Sequence, residues 1–194
     1  IGVRRSTMVG FLLASFAMLI QGCAGLVVAG AATGAAMATD RRTAGTMIDD
    51  QGVEMKIAHA FYNDPELPEH SHLDVTSFNH IVLLTGETTD EAFRERIEDF
   101  ARNVPQVRRV YNEMVVAAPS SFLTRSSDAW LTSKVKSRLL GAPGVNPLHI
   151  KVTSENGTVY LMGLVSEKEA YRATEVASQT GGVQRVVKLF EYLS

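Results

Sequence analysis

The chain repeats itself, and that repeat limits what it can fold into. His72-Leu-Asp-Val-Thr-Ser-Phe-Asn-His-Ile-Val-Leu-Leu-Thr-Gly86 aligns with His149-Ile-Lys-Val-Thr-Ser-Glu-Asn-Gly-Thr-Val-Tyr-Leu-Met-Gly163, with about half of the positions identical. The flanks repeat too: Glu91-Ala-Phe-Arg94 matches Glu169-Ala-Tyr-Arg172, and Val107-Arg-Arg-Val110 matches Val183-Gln-Arg-Val186. The chain is therefore expected to hold two copies of one unit of roughly 65 residues, small for independent folding but not too small.

Within a copy the hydrophobic period changes in a fixed order. In the second copy Leu131, Val135 and Leu139 recur every four residues after Ser127 or Asp128 as N-cap, predicting an amphipathic helix that runs to Leu140 and stops at Gly141 and Pro143. Ile150, Val152 and Ser154 then alternate with polar neighbours, Asn156-Gly157 signals a tight turn, and Val159, Leu161 and Gly163 alternate again, which predicts a β-hairpin. Ser166 with Glu169 forms a capping box for a second helix with Ala170, Ala173, Val176 and Ala177 as its apolar face. Gly181-Gly182 ends that helix, and Val183 to Leu193 reads as a closing strand. The first copy follows suit. Val53, Ile57 and Phe61 mark its opening helix, followed by strands Leu73 to Phe78 and Ile81 to Thr85, a helix from Thr89 or Asp90 to Asn103, and a strand Val107 to Val116. The fold class is α+β: two tandem αββαβ domains, each a three-stranded sheet with two helices on one face. The other sheet face must then be polar, covered or used for binding.

Upstream of the repeat, Arg4-Arg5, the apolar run Val9 to Ile20 and the string Leu19-Ile20-Gln21-Gly22-Cys23 have the form of a bacterial lipoprotein leader. The run is about a dozen residues, well short of the roughly 20 needed to span a bilayer. Cys23 is the one cysteine in the chain, so no internal disulfide is available to it. Thioether lipidation with N-acylation would use it, and several acyl chains anchor stably where one is marginal. The boundaries expected are a leader at 1–22, lipidated Cys23 and a flexible tether at 23–46, a first domain at 47–116, a linker at 117–125 and a second domain at 126–194. The tether reading rests on the low-complexity stretch Ala24 to Thr39, whose small side chains bury little area.

Charge is uneven. Asp49 to Val116 carries 6 Lys/Arg against 14 Asp/Glu, a net of −8, while Ser126 to Ser194 carries 8 against 6, a net of +2. Anionic lipid repels the first half but not the second. Beside the core stripe of the second opening helix runs another, Trp130, Lys134 and Arg138, also spaced by four, where the first copy has Gly52, Lys56 and Ala60. An indole suits a headgroup boundary, and Lys134, Lys136 and Arg138 would each add about 1 kcal/mol of attraction to anionic phosphates. Equally, Trp130 can pack against the first copy with the cations as solvated flank.

With these residues in view, the chain resembles the BON domain family, and more closely its dual-BON outer-membrane lipoproteins. The likeness is carried by the Leu-Ile-Gln-Gly-Cys23 box, Ala38-Thr-Asp-Arg-Arg-Thr-Ala-Gly-Thr46 with Asp49-Asp50, and Val110-Tyr-Asn-Glu113. It continues through Trp130-Leu-Thr-Ser-Lys-Val-Lys-Ser-Arg-Leu-Leu140, Val152-Thr-Ser-Glu-Asn-Gly157 and Val159-Tyr-Leu-Met-Gly-Leu-Val165. The resemblance implies an outer-membrane protein on the periplasmic face, with Ala24 following the lipidated Cys23. It also implies binding to anionic phospholipid membranes through the second domain, support of outer-membrane integrity, and gathering at the division site. The phospholipid-contacting residues it favours are Trp130, Leu131, Lys134, Lys136, Arg138 and Ser127, with Arg125 assisting. A monomer without cofactor or nucleic acid is expected.

No catalytic activity is expected. The chain has no Gly-rich phosphate loop or nucleophile elbow. His70 and His72, with His59 or His80, would be the histidines to consider for zinc, but no Cys or carboxylate recurs at ligand spacing. Asp49-Asp50 and Asp40-Arg41-Arg42 are expected to cap a helix and tie the tether to the body. The competing class is a lipid-anchored adaptor that holds an outer-membrane or periplasmic protein on a spare sheet face.

Overall fold

A computed structural model describes residues 40–193, so the leader, Cys23 and the tether as far as residue 39 lie outside the described residues. The account below concerns the compact unit that begins at Arg41.

In the first copy, α1 (Ala44–Asn63) starts at Thr43, whose side chain accepts from Thr46 N–H. The last residues assigned to the tether are therefore helix. A four-residue α2 (Leu67–His70) precedes β1 (Ser71–Phe78) and β2 (Ile81–Thr88); α3 (Glu91–Arg102) is capped by Asp90, and β3 (Arg109–Asn112) and β4 (Val115–Val116) close the sheet. The second copy runs α4 (Phe122–Leu140), a 3-10 turn (Pro147–His149), β5 (Ile150–Glu155), β6 (Thr158–Val165), α5 (Glu167–Ser178) and β7 (Arg185–Tyr192). In each copy the first two strands form an antiparallel hairpin and the last lies parallel to the second, giving orders β1-β2-β3 and β5-β6-β7. The closing strand expected over Val107 to Val116 is split. β3 and β4 both pair with β2, and between them Met114 turns inward to reach the core at 3% exposure.

Helix α4 corrects the sequence reading at its start. Ser121, not Ser127 or Asp128, is the N-cap, accepting from Thr124 N–H, so half of the expected linker is helix. Nothing between Phe122 and Ser127 breaks a helix once Pro119 is passed, so the helix extends back to the nearest good cap. Asp128 then lies mid-helix and buried, where it accepts backbone N–H groups from Asn156 (2.9 Å) and Gly157 (3.0 Å) in the hairpin turn. Asp50 does the same in the first copy for Asn79 and His80, both at 2.8 Å. All four turn residues have positive φ: 52° and 64° at Asn79 and His80, 47° and 73° at Asn156 and Gly157. Two-residue hairpins need that left-handed backbone, and a carboxylate bonded to both N–H groups holds it even where the second residue is histidine. Asp50 thus clamps helix to hairpin and caps nothing. The tie to the body comes from its neighbours: Arg41 reaches Glu169 and the Leu164 carbonyl, and Arg42 reaches Asp50 and stacks on Phe78.

Two cores sit between helices and sheets, one around Val53, Ile57, Val82, Leu84 and Ile97, the other around Leu131, Val135, Leu139, Val159, Leu161 and Ala173. A third lies between the sheets. Phe78, Ile81 and Leu83 from the first copy pack with Tyr160, Met162 and Leu189 from the second. The helix-free faces therefore cover each other. Gly86 and Gly163 lie inside the second strands, two residues before their ends, and are glycine for a steric reason: a Cβ there would fall 2.1 Å from the His72 carbonyl oxygen and 2.5 Å from that of His149.

Candidate functional site

Helix α4 presents two faces. Leu131, Val135 and Leu139 fill the core, so Leu131, at 5% exposure, packs inside and does not stand on the outer face with Trp130. On the outside, Phe122, Leu123 and Trp130 stand 75%, 79% and 63% exposed. Phe122 and Leu123 lie about two turns before Trp130, on the same side of the helix. Trp130 does not pack on the first copy; its ring carries Lys134 Nζ 4.7 Å from the centroid. Such a pairing is worth about 0.5–1 kcal/mol at an exposed site.

The cations of this helix do three different things. Lys134 Nζ donates to the Gly181 carbonyl at 2.7 Å, and Arg138 Nη1 donates to the Gln179 carbonyl at 2.6 Å. Both tie α4 to the loop after α5 while keeping their charge at the surface. Lys136 lies on another side, beside the exposed Leu140 and Leu148 and close to Lys151. Arg125 leaves the helix face altogether, its Nη1 lying 3.3 Å from His72 Nδ1. Ser127 is exposed and lines a shallow hollow of about 380 Å³ next to Trp130 and Gln184. The stripe Trp130/Lys134/Arg138 is thus one surface, joined by Phe122 and Leu123, which sequence reasoning left in a linker. Their signal was Ser121 three residues before Thr124, a cap ahead of two apolar residues.

The histidines considered for zinc are not brought together. His70 stacks on Phe93 with centroids 5.6 Å apart, His59 bonds Asn63, and His80 lies 3.5 Å from Asp49. His72 instead faces the seam between the sheets. Its register partner is Glu87, and Asp74 follows two residues along β1 on the same face, opposite Thr85. From the second copy Glu155 enters the same place. Burial first, then the charges of Glu87, Asp128 and Asp74, push the Glu155 carboxyl up to about 8. The seam is apolar at the Phe78/Met162 end and ionisable at this one.

The BON domain model matches residues 49–118 and again 127–194. The Outer membrane lipoprotein DolP of Haemophilus influenzae is 38% identical over 176 residues, covering 91% of each chain. The 21 kDa hemolysin of Actinobacillus pleuropneumoniae is 34% identical over 79% of each chain. The Osmotically-inducible protein Y of Escherichia coli K12 is 28% identical over 73% of this chain and 72% of its own. With two αββαβ copies, a family match on each and a DolP relative aligned nearly end to end, the chain belongs to the BON domain family.

Proposed function

We propose that this is an outer-membrane lipoprotein, anchored through acyl chains on Cys23 at the periplasmic face. Its second BON domain lays α4 on anionic phospholipid and so supports the integrity of that membrane, including at the division site. The observation that carries the reading is the run Phe122, Leu123 and Trp130, exposed together on one helix with Lys134 and Arg138 beside it. Leaving water would favour each apolar side chain by about 1.5–3 kcal/mol. Lys134 and Arg138 add a smaller electrostatic preference for anionic headgroups. The name and 38% identity of the Haemophilus relative support the outer-membrane placement. No helix among the described residues is long and apolar enough to cross a membrane, which is in keeping with attachment by lipid. No catalytic role is proposed.

The adaptor alternative would need a surface other than the helix-free sheet faces, since those are packed against each other. Co-sedimentation of a soluble form starting at residue 40, with vesicles containing or lacking anionic phospholipid, separates the two. Anionic-selective binding that falls at least tenfold in Trp130→Ala, and further in Lys134→Glu with Arg138→Glu, supports the membrane reading. No binding to either vesicle would leave the anchor as the sole membrane contact and move the conclusion to the adaptor.

A further inference from the structure

The ionisable end of the seam is independent of α4's outer face. One imidazole nitrogen of His72 and one carboxylate oxygen each of Asp74 and Glu155 lie within 4.8 Å of one another. The neighbouring acids are already engaged. Glu87 accepts from Ser120 N–H at 3.1 Å and Asn156 Nδ2 at 2.5 Å, and Asp128 accepts the turn N–H groups. Glu155, 7% exposed, lies 3.5 Å from Asn156 Nδ2 and shares a side-chain hydrogen bond with Glu87. A second observation comes from the imidazole. His72 Nε2 is sealed from solvent and has no hydrogen-bond partner. His72 as a whole is half-buried and Asp74 exposed, but a buried polar nitrogen without a partner still costs stability.

We propose that this end of the seam binds a divalent cation of the zinc class, with His72 and Asp74 of the first copy and Glu155 of the second as ligands and water completing the shell. One nitrogen and two carboxylate oxygens with an open position form the donor set that borderline cations such as zinc accept. The ligand atoms need close only modestly to reach the roughly 2.0–2.2 Å bonds of such a site. Arg125 is the resident competitor. Its Nη1 donates to His72 Nδ1, leaving the proton on Nε2. Metal on Nε2 moves that proton to Nδ1 and displaces the exposed guanidinium, with no net change on the imidazole. Because the ligands come from both copies, the ion would join the two domains.

Calorimetric titration of Zn²⁺ into the full chain carrying Cys23→Ser, which removes the competing thiol, tests this. One equivalent should bind at micromolar or lower Kd, and at a hundredfold excess over Kd the thermal midpoint should rise by at least 5 °C. His72→Ala and Glu155→Gln should each weaken binding at least tenfold, His70→Ala should not change it, and Arg125→Ala should tighten it. Glu155→Gln keeps the side-chain shape while removing a carboxylate that the cation would need, so it remains informative if His72→Ala folds poorly. The absence of saturable binding, or binding unchanged in both ligand variants, overturns the proposal.

Discussion

Asp50→Ala is predicted to cost about 4 kcal/mol, and the number follows from what that carboxylate holds. The side chain is almost fully buried, at 3% exposure. It accepts from Asn79 N–H, His80 N–H and Ser77 O–H at 2.8 Å each, and from Arg42 Nη1 at 2.9 Å. Alanine leaves two turn N–H groups, at φ of 52° and 64°, without the acceptor that fixes their backbone, and removes one partner of the Arg42 guanidinium. Orphaned buried donors cost about 1–3 kcal/mol each, and breaking a buried ion pair costs about 3–5. Water reaching the vacated site and relaxation of Arg42 over Phe78 hold the cost slightly below the lower-bound sum of about 5 kcal/mol. For a domain pair of this size each kcal/mol moves the midpoint by about 2–4 °C, so thermal unfolding followed by circular dichroism should fall by about 8–16 °C. Asp49→Ala is the control, since that neighbour is 39% exposed and only 3.5 Å from His80; it should cost less than 1 kcal/mol. If Asp50→Ala loses under 1 kcal/mol, or no more than Asp49→Ala, the clamp argument is wrong for both copies.

Acid should weaken the tie between Arg41 and the second domain. Burial raises the Glu169 carboxyl, but hydrogen bonds from Arg41 and Ser166 outweigh it and bring the value down to about 2, from an ordinary 4.5. A depressed carboxylate stabilises fully above its unfolded value and loses that contribution as pH falls through the folded one. Stability should thus drop between about pH 4.5 and 2 by at most ~3 kcal/mol at ~1.4 kcal/mol per unit, and Glu169→Gln should flatten urea midpoints across that window. Leu131→Ala should cost about 2–5 kcal/mol as a core truncation, while vesicle binding of the still-folded protein stays within twofold of the parent; a selective loss of binding would restore Leu131 as a contact. Gly86→Ala should unfold or severely destabilise the first copy, because its Cβ would meet the His72 carbonyl at 2.1 Å with φ at 120°; a melting curve like the parent's would refute the close approach.

Much of each domain was legible because its determinants are local. The every-four stripe Leu131/Val135/Leu139, the Asn156-Gly157 turn and the Ser166/Glu169 box each act within a few residues, and all three appear as expected. The start of α4 was misplaced because Ser127 and Asp128 suit an N-cap as well as the real cap Ser121 does, and they stand nearer the apolar stripe. A cue to the seam was present. Ile81-Val-Leu-Leu84 and Val159-Tyr-Leu-Met162 are continuous apolar runs, as strands buried on both faces are. Such runs say that a second face is covered without saying by what.

The sequence by itself determined the repeat, the order of elements, the helix faces and the glycines where strands meet backbone, since period, propensity and sterics are properties of short stretches. Only the tertiary structure decided that the two sheets face each other, that Asp50 and Asp128 clamp turns instead of capping helices, and that Trp130 stands clear of the first copy with Phe122 and Leu123 beside it. It also decided that His72 and Asp74 meet Glu155. Those contacts join residues tens of positions apart, so they depend on how one copy docks on the other, a geometry set by summed burial over whole faces and not by any local pattern.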